Sequence, residues 1–227
     1  MTDRPDGQKL ALTYVFDAYC GWCFGFSPAF TEFVRNHRDE IVLEVISGGL
    51  FTGAQVQPMS AMPYIGPANA RIATLTGAQF GAGYDALAEA GDFAMDSLDA
   101  ARGFAALRRQ APDRALEIAS ALQVAFYRDG LSLSEPATYR TIAAELGLDG
   151  ELAVSAYGEA ATTAVAEDDF RRARSLGVSS FPTVLVHLPG DRLGRLGGPT
   201  STAAQLGTAL ADFQQLATLS PKEQNNV

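Results

Sequence analysis

The chain has 227 residues, 47% hydrophobic and 19% charged, the balance of a soluble globular protein with room for one large domain or a domain carrying an insertion. Its net charge of -9 comes without any basic stripe, since Arg108-Arg109 and Arg171-Arg172 sit among acidic residues in helical patterns, so no nucleic-acid partner is expected. No apolar run approaches the roughly 20 residues needed to cross a bilayer. The polar start Met1 to Lys9 also lacks the apolar core and cleavage site of a signal peptide, so the reading is cytoplasmic, with no membrane.

In chain order, Leu10 to Phe16 is a short apolar run rich in β-formers and reads as a buried strand. A helix pattern follows from about Cys23 to Arg38, then a second strand from Ile41 to Ile46 that Gly48-Gly49 ends. Strand, helix, strand makes a βαβ unit with a parallel pair and a right-handed crossover. From about Pro58 to Val165 alanine dominates and strand signals vanish. Pro112 opens a helix that Gly130 ends, and Ser134-Glu135-Pro136 opens another that Gly147 ends, so this block reads as a bundle of four to six helices. A further helix runs through Asp169 to Leu176 until Gly177 breaks it. Val178 to His187 is strand-like past its proline, Pro189-Gly190-Asp191 turns the chain, and Arg192 to Leu196 returns as an antiparallel partner. A last helix spans Ser201 to about Leu216. The expected organisation is an α/β unit in two parts, 1–57 (βαβ) and 166–218 (αββα), interrupted by a helical insertion at 58–165, with a flexible tail at 219–227.

The only two cysteines stand as Cys20-Gly21-Trp22-Cys23, around the only tryptophan, where the first strand hands over to the first helix. Four readings compete: a redox pair, half of a metal site, a structural disulfide, or inert thiols. A metal wants four ligands, and neither His37 nor His187 has a partner at ligand spacing, so no metal is expected. A bridge across two residues constrains little chain entropy, and a reducing compartment disfavours it. A thiol at a helix start, by contrast, faces unpaired N–H groups and the positive end of the helix dipole, which favour the reactive thiolate. In the redox reading Cys20 attacks, Cys23 one turn on resolves the mixed disulfide, and Gly21 lets the turn adopt the geometry the sulfurs need.

Ser179-Ser180-Phe181-Pro182-Thr183 is the second constellation, because a proline opening an otherwise central strand removes a ladder donor. A cis Phe181–Pro182 bond, which makes a tight bend, is one resolution and a trans turn residue the other; the C-x-x-C at the head of the first helix favours the cis form. The Gly77, Gly81, Gly83 run lacks phosphate-loop spacing and is discounted.

Asp17-Ala-Tyr-Cys-Gly-Trp-Cys-Phe, Gly177-Val-Ser-Ser-Phe-Pro-Thr and Phe126-Tyr-Arg-Asp-Gly130 together resemble the DsbA-like thiol–disulfide oxidoreductases of the thioredoxin superfamily, including the cytoplasmic FrnE-like branch. The resemblance spans nearly the whole chain. It implies a thioredoxin fold interrupted by an all-helical insertion domain, with Cys20 as nucleophile, Cys23 as resolving thiol and Pro182 as the cis proline facing them. It further implies Trp22, Phe181, Ser180 and Thr183 as the substrate-facing set, Phe181 offering its backbone to an extended segment by β-augmentation. Substrates would be protein or peptide thiols and disulfides. No cofactor beyond the redox-active disulfide is implied, with glutathione or a thioredoxin-like partner as the recycling agent and a monomer or homodimer as the assembly.

Three departures from that pattern stand out. The dipeptide Gly21-Trp22 lacks the histidine of strongly oxidising relatives, so a less acidic Cys20 is expected. Tyr14 stands six residues before Cys20, where many thioredoxin folds hold a buried acid, leaving Asp17 as the candidate proton relay or else a cap of the helix start. The absence of a leader speaks against the usual periplasmic role. Two alternatives belong to other classes: a glutathione-dependent isomerase or transferase of kappa-class-like fold, and a non-enzymatic binding or chaperone protein.

Overall fold

A computed structural model describes residues 9–218, and the expected tail at 219–227 lies outside them. Strand β1 (Leu10–Phe16) is buried at every position but Ala11, as a strand covered on both faces must be, and its near-continuous apolar sequence suits that place. It pairs in parallel with β2 (Ile41–Ser47), Leu10 opposite Ile41 and Phe16 opposite Ser47. On its other side it pairs antiparallel with β3 (Thr183–Leu188), Val15 opposite Thr183, and β3 pairs antiparallel with β4 (Arg192–Arg195). The sheet order is β2-β1-β3-β4. This is an α/β architecture with the thioredoxin-type mixed sheet.

Helix α1 (Gly21–Asn36) crosses from β1 to β2 and presses Cys23, Phe26, Phe30 and Phe33 onto the sheet, the three- and four-residue spacing of one helical face. It begins two residues earlier than the sequence pattern suggested. Cys20, in extended conformation, is the residue before the first turn, so Gly21 and Trp22 are already helical. Helices α2 (Ile65–Thr76), α3 (Ala82–Ala90), α4 (Ser97–Arg108), α5 (Ala115–Tyr127), α6 (Pro136–Glu145) and α7 (Gly150–Tyr157) form the helical block. Pro112 opens only a single 3-10 turn, Pro112–Arg114, before α5 takes over. Helix α8 (Ala160–Ser175) starts well before Asp169 and runs through residue 165, where the sequence reading ended the insertion. Helix α9 (Ala203–Thr218) closes the order, packing on α1.

The helical block shares one apolar core with the sheet. Phe104 of α4 meets Phe16 edge-on at 5.0 Å, and Phe126 of α5 meets Tyr19 edge-on at 4.7 Å, both favourable ring geometries. The block is therefore bonded directly to the strand end that carries the thiols. Gly81 and Gly83 have a packing role: a Cβ on either would fall 2.1 Å and 2.3 Å from the carbonyls of Arg128 and Asp129, so the two backbones touch only because both side chains are absent.

Candidate active site

The end of β1, the first turn of α1 and the loop before β3 converge on the cysteines. Both are reduced and buried, Cys20 with 6% of its surface exposed and Cys23 with none, so Cys20 alone reaches the solvent side. The Cys20 thiol donates to the Phe181 carbonyl at 3.4 Å, within the range of a sulfur donor. The Phe181–Pro182 bond is cis. Burial, and next the neighbouring Cys20, push the Cys23 thiol well above the ordinary cysteine range, so in the reduced protein it holds its proton.

Asp17 is buried and does not cap α1. Its carboxylate accepts from the backbone N–H of Tyr19 (3.0 Å) and of Leu50 (2.8 Å), tying the segment before Cys20 to the loop after β2. Burial raises its pKa, opposed mainly by the bonds from Leu50 and Tyr19, and its charge acts on Cys23. Tyr14 lies under α1 with its ring 4.6 Å from Phe30; its buried hydroxyl sits beside Cys23 and within electrostatic reach of both cysteines.

The substrate-facing set divides. Phe181 is half-buried, and Ser180 is exposed. Thr183 is buried and its hydroxyl donates to the Ser180 carbonyl at 2.8 Å, so it braces the loop from inside. Pro182 is buried, its carbonyl accepting from Arg195 at 3.3 Å. Trp22 is not on an open turn: it is half-buried in the first turn of α1, with the Arg71 guanidinium 5.9 Å over its ring. Gly21 owes its identity to packing rather than to backbone freedom. It is helical, and a Cβ there would lie 2.9 Å from Ile72 Cδ1 of α2.

The helical block supplies residues to which the sequence gave no place at the site. On α5, Tyr127 donates its hydroxyl to the Tyr19 carbonyl at 2.5 Å, and Gln123, one turn earlier, donates to the Asp17 carbonyl at 3.5 Å. Two side chains at i and i+4 thus hold the carbonyls that lead into Cys20. On α2, Asn69 donates to the Tyr84 hydroxyl at 2.8 Å. Only the four-residue spacing within α5 was visible in sequence, and nothing local says that it meets residues 17 and 19. His37 bonds Glu40 at the far end of α1, and His187 bonds Thr13 Oγ1 at 2.8 Å. Among the described residues no cluster of three metal-ligating side chains forms. No described helix is long and apolar enough to cross a membrane.

A buried dithiol at a helix start, hydrogen-bonded to a loop with a cis proline, defines a protein of the thioredoxin-fold dithiol class. The DSBA-like thioredoxin domain matches residues 11–210, and the chain belongs to that family of thiol–disulfide oxidoreductases. Among solved structures it is similar to the cytosolic disulfide reductase DsbM from Pseudomonas aeruginosa, at 28% identity and a TM-score of 0.75, over 91% of this chain and 98% of that one. The same enzyme with GSH aligns at 27% identity and a TM-score of 0.73, over 91% and 99% of the two chains. A candidate protein disulfide isomerase from Nitrosomonas europaea shares the fold, with a TM-score of 0.78 at 20% identity over 92% and 99%. No curated protein sequence matches this chain.

Proposed function

We propose that this oxidoreductase exchanges disulfides with protein thiols in the cytoplasm, Cys20 attacking and Cys23 resolving. The observation that carries the reading is the bond from the Cys20 thiol to the Phe181 carbonyl beside the cis Phe181–Pro182 peptide, with Cys23 buried directly behind. A backbone that already pairs with the sulfur is the edge on which an extended substrate can lie, with Ser180 and Phe181 at the contact.

In the reducing direction the Cys20 thiolate attacks one sulfur of a substrate disulfide, forms a mixed disulfide and expels the other substrate sulfur as a thiolate. Cys23 loses its proton and attacks Cys20 Sγ. The second substrate thiolate leaves, the Cys20–Cys23 disulfide forms, and two electrons have passed to the substrate. The reverse sequence oxidises a dithiol. Asp17, buried near Cys23 and with its pKa raised by that burial, is the acceptor we assign to the Cys23 proton. The exchange as written needs no metal or prosthetic group, and glutathione or a thioredoxin-like protein regenerates the dithiol. The cytosolic setting and GSH complex of DsbM support this compartment and this recycling route.

The test uses Cys20→Ser and Cys23→Ser with a disulfide-bonded model protein. Cys23→Ser is expected to accumulate a mixed disulfide stable to gel electrophoresis without reductant, and Cys20→Ser to form none. A redox titration in glutathione buffers, read by the single tryptophan Trp22, is expected to give one reversible two-electron transition at roughly -270 to -120 mV. Absence of that transition in the wild type, with both thiols free under oxidising buffer, sinks the reading.

A further inference from the structure

Helix α5 passes behind the turn that carries the thiols, and one of its side chains touches that turn on both sides. Tyr127 donates its hydroxyl to the Tyr19 carbonyl at 2.5 Å, on the peptide bond that leads into Cys20. Its ring stacks on Phe24, the residue after Cys23, with centroids 4.9 Å apart and planes 21° from parallel. Between these contacts the hydroxyl lies 3.8 Å from where a Cβ on Gly21 would stand. Tyr127 thus brackets the whole Cys20-Gly21-Trp22-Cys23 stretch. The ring is itself wedged between Phe80 at 5.6 Å, Tyr84 at 5.1 Å and Phe126 at 4.8 Å. Burial raises the pKa of the Tyr127 hydroxyl, so it keeps its proton and stays a donor. One turn earlier, Gln123 donates to the Asp17 carbonyl at 3.5 Å, which also accepts the Cys20 N–H at 3.1 Å.

We infer that Tyr127 is a positioning residue for the redox pair: it anchors the backbone on the N-terminal side of Cys20 and so keeps the Cys20 sulfur within reach of Cys23. This rests on the exchange reading above and deepens it. Cys20 precedes the first helical turn in extended conformation; its carbonyl accepts the Phe24 N–H at 3.1 Å, but no bond of the helix holds the peptide before it. Tyr127 supplies that anchor from the helical block. Closing a disulfide within one chain depends on the effective concentration of one thiol at the other, which a fixed geometry raises and a loose turn lowers. Attack of Cys20 on a substrate disulfide does not draw on this term. The attack of Cys23 on Cys20 Sγ does, so the anchor acts on resolution and on the closing equilibrium.

The experiment compares the full-length wild type with Tyr127→Phe and Tyr139→Phe. Tyr139 is the matched control, because its buried hydroxyl also meets backbone carbonyls, those of Leu133 and Asp99, with no hydrogen bond to residues 17–24. Equilibration in glutathione buffers, with thiols trapped and counted, gives the constant for dithiol plus oxidised glutathione passing to the Cys20–Cys23 disulfide plus two reduced glutathiones. In Tyr127→Phe this constant is expected to fall about tenfold, a potential about 30 mV less negative for two electrons. Quenched flow should show the glutathione adduct on Cys20 forming within about twofold of the wild-type rate and resolving about tenfold more slowly. Gln123→Met, which removes the longer of the two bonds, should move both readouts the same way by about threefold. Tyr139→Phe should lose stability in urea and leave both readouts at their wild-type values. An unchanged constant and resolution rate in Tyr127→Phe, or equal shifts in Tyr139→Phe, overturn the positioning role and leave disulfide exchange standing. Equal slowing of adduct formation and resolution overturns it too. If the wild type forms neither the glutathione adduct nor the Cys20–Cys23 disulfide, the exchange reading itself falls and the role of Tyr127 with it.

Discussion

Cys23 and Asp17 are the two titratable groups that burial has moved most usefully for exchange. With its pKa raised, the Cys23 proton is bound more tightly in the folded than in the unfolded chain. The sign follows: this contribution to stability is fully present below the unfolded cysteine value of about 8.5 and is lost as the pH rises above it. Reduced wild type is therefore expected to lose stability relative to Cys23→Ala above about pH 8.5, by about 1.4 kcal/mol per pH unit for one proton. The oxidised protein, which has no thiol to titrate, should show no such loss. Urea unfolding at pH 7, 8.5 and 9.5 checks this, and parallel profiles for the reduced pair would contradict it. The same burial disfavours the Cys23 thiolate, which suits a resolving thiol better than an attacking one.

At the scale of elements, glycines decide how closely the pieces around the thiols approach. Gly21 and Gly25, one turn apart on α1, face α2: a Cβ at Gly25 would lie 2.6 Å from Thr76 Oγ1 and 2.8 Å from Ile72 Cγ2. Their absent side chains let α2 close over the helix start and form the back of a cavity beside Cys20. Gly48, just past β2, does the same for the loop before β3, since a Cβ there would meet the Phe181 ring at 2.0 Å. Its backbone is not in the left-handed region, so alanine strains only the packing. Gly48→Ala is expected to cost about 1–3 kcal/mol as an overpacked contact and to push Phe181 off its place. Exchange by Cys20 should then slow by about tenfold, far beyond what a matched stability loss elsewhere would cause. Denaturant unfolding and stopped-flow exchange on the same variant separate the two effects.

For the whole molecule, one buried ion pair ties the helical block to the sheet. Arg108 of α4 donates to Asp169 of α8 at 3.0 Å and to the Val45 carbonyl of β2 at 2.6 Å, while Asp169 accepts from the Ser47 N–H at 3.1 Å. Two helices and the sheet's edge strand meet at these groups, and the edge is covered there rather than left open. Arg108→Met would leave the Asp169 carboxylate buried without its cation, and a loss of about 3 kcal/mol is expected at pH 7. Burial already raises Asp169 against the pull of Arg108, so the variant's carboxyl takes up a proton readily on acidification. The loss should accordingly shrink toward pH 4, and thermal unfolding at the two pH values checks it.

The fold and the placing of the two thiols at the head of the first helix were legible in the sequence because they rest on local signals. LALTYVF is apolar enough to be a central strand, Cys20 and Cys23 sit one turn apart at a strand-to-helix junction, and a proline opens β3. Helix starts were less legible: Gly21 is a poor helix former yet opens α1, and Pro112 opens a 3-10 turn rather than α5 itself, so packing and hydrogen bonding rather than propensity set the first turns. What surrounds Cys20 was decided by tertiary structure alone. Tyr127 and Gln123 hold the Tyr19 and Asp17 carbonyls across more than a hundred residues of chain, and Trp22 is half-covered because α2 reaches over it. Asp17 binds Leu50 instead of capping α1. By itself the sequence determined that two thiols stand at the head of a helix, since strand, turn and helix are short-range and set by neighbouring residues. Only the assembled fold decided what those thiols touch, because burial, pairing partners and cavity walls come from segments that chain order does not bring together.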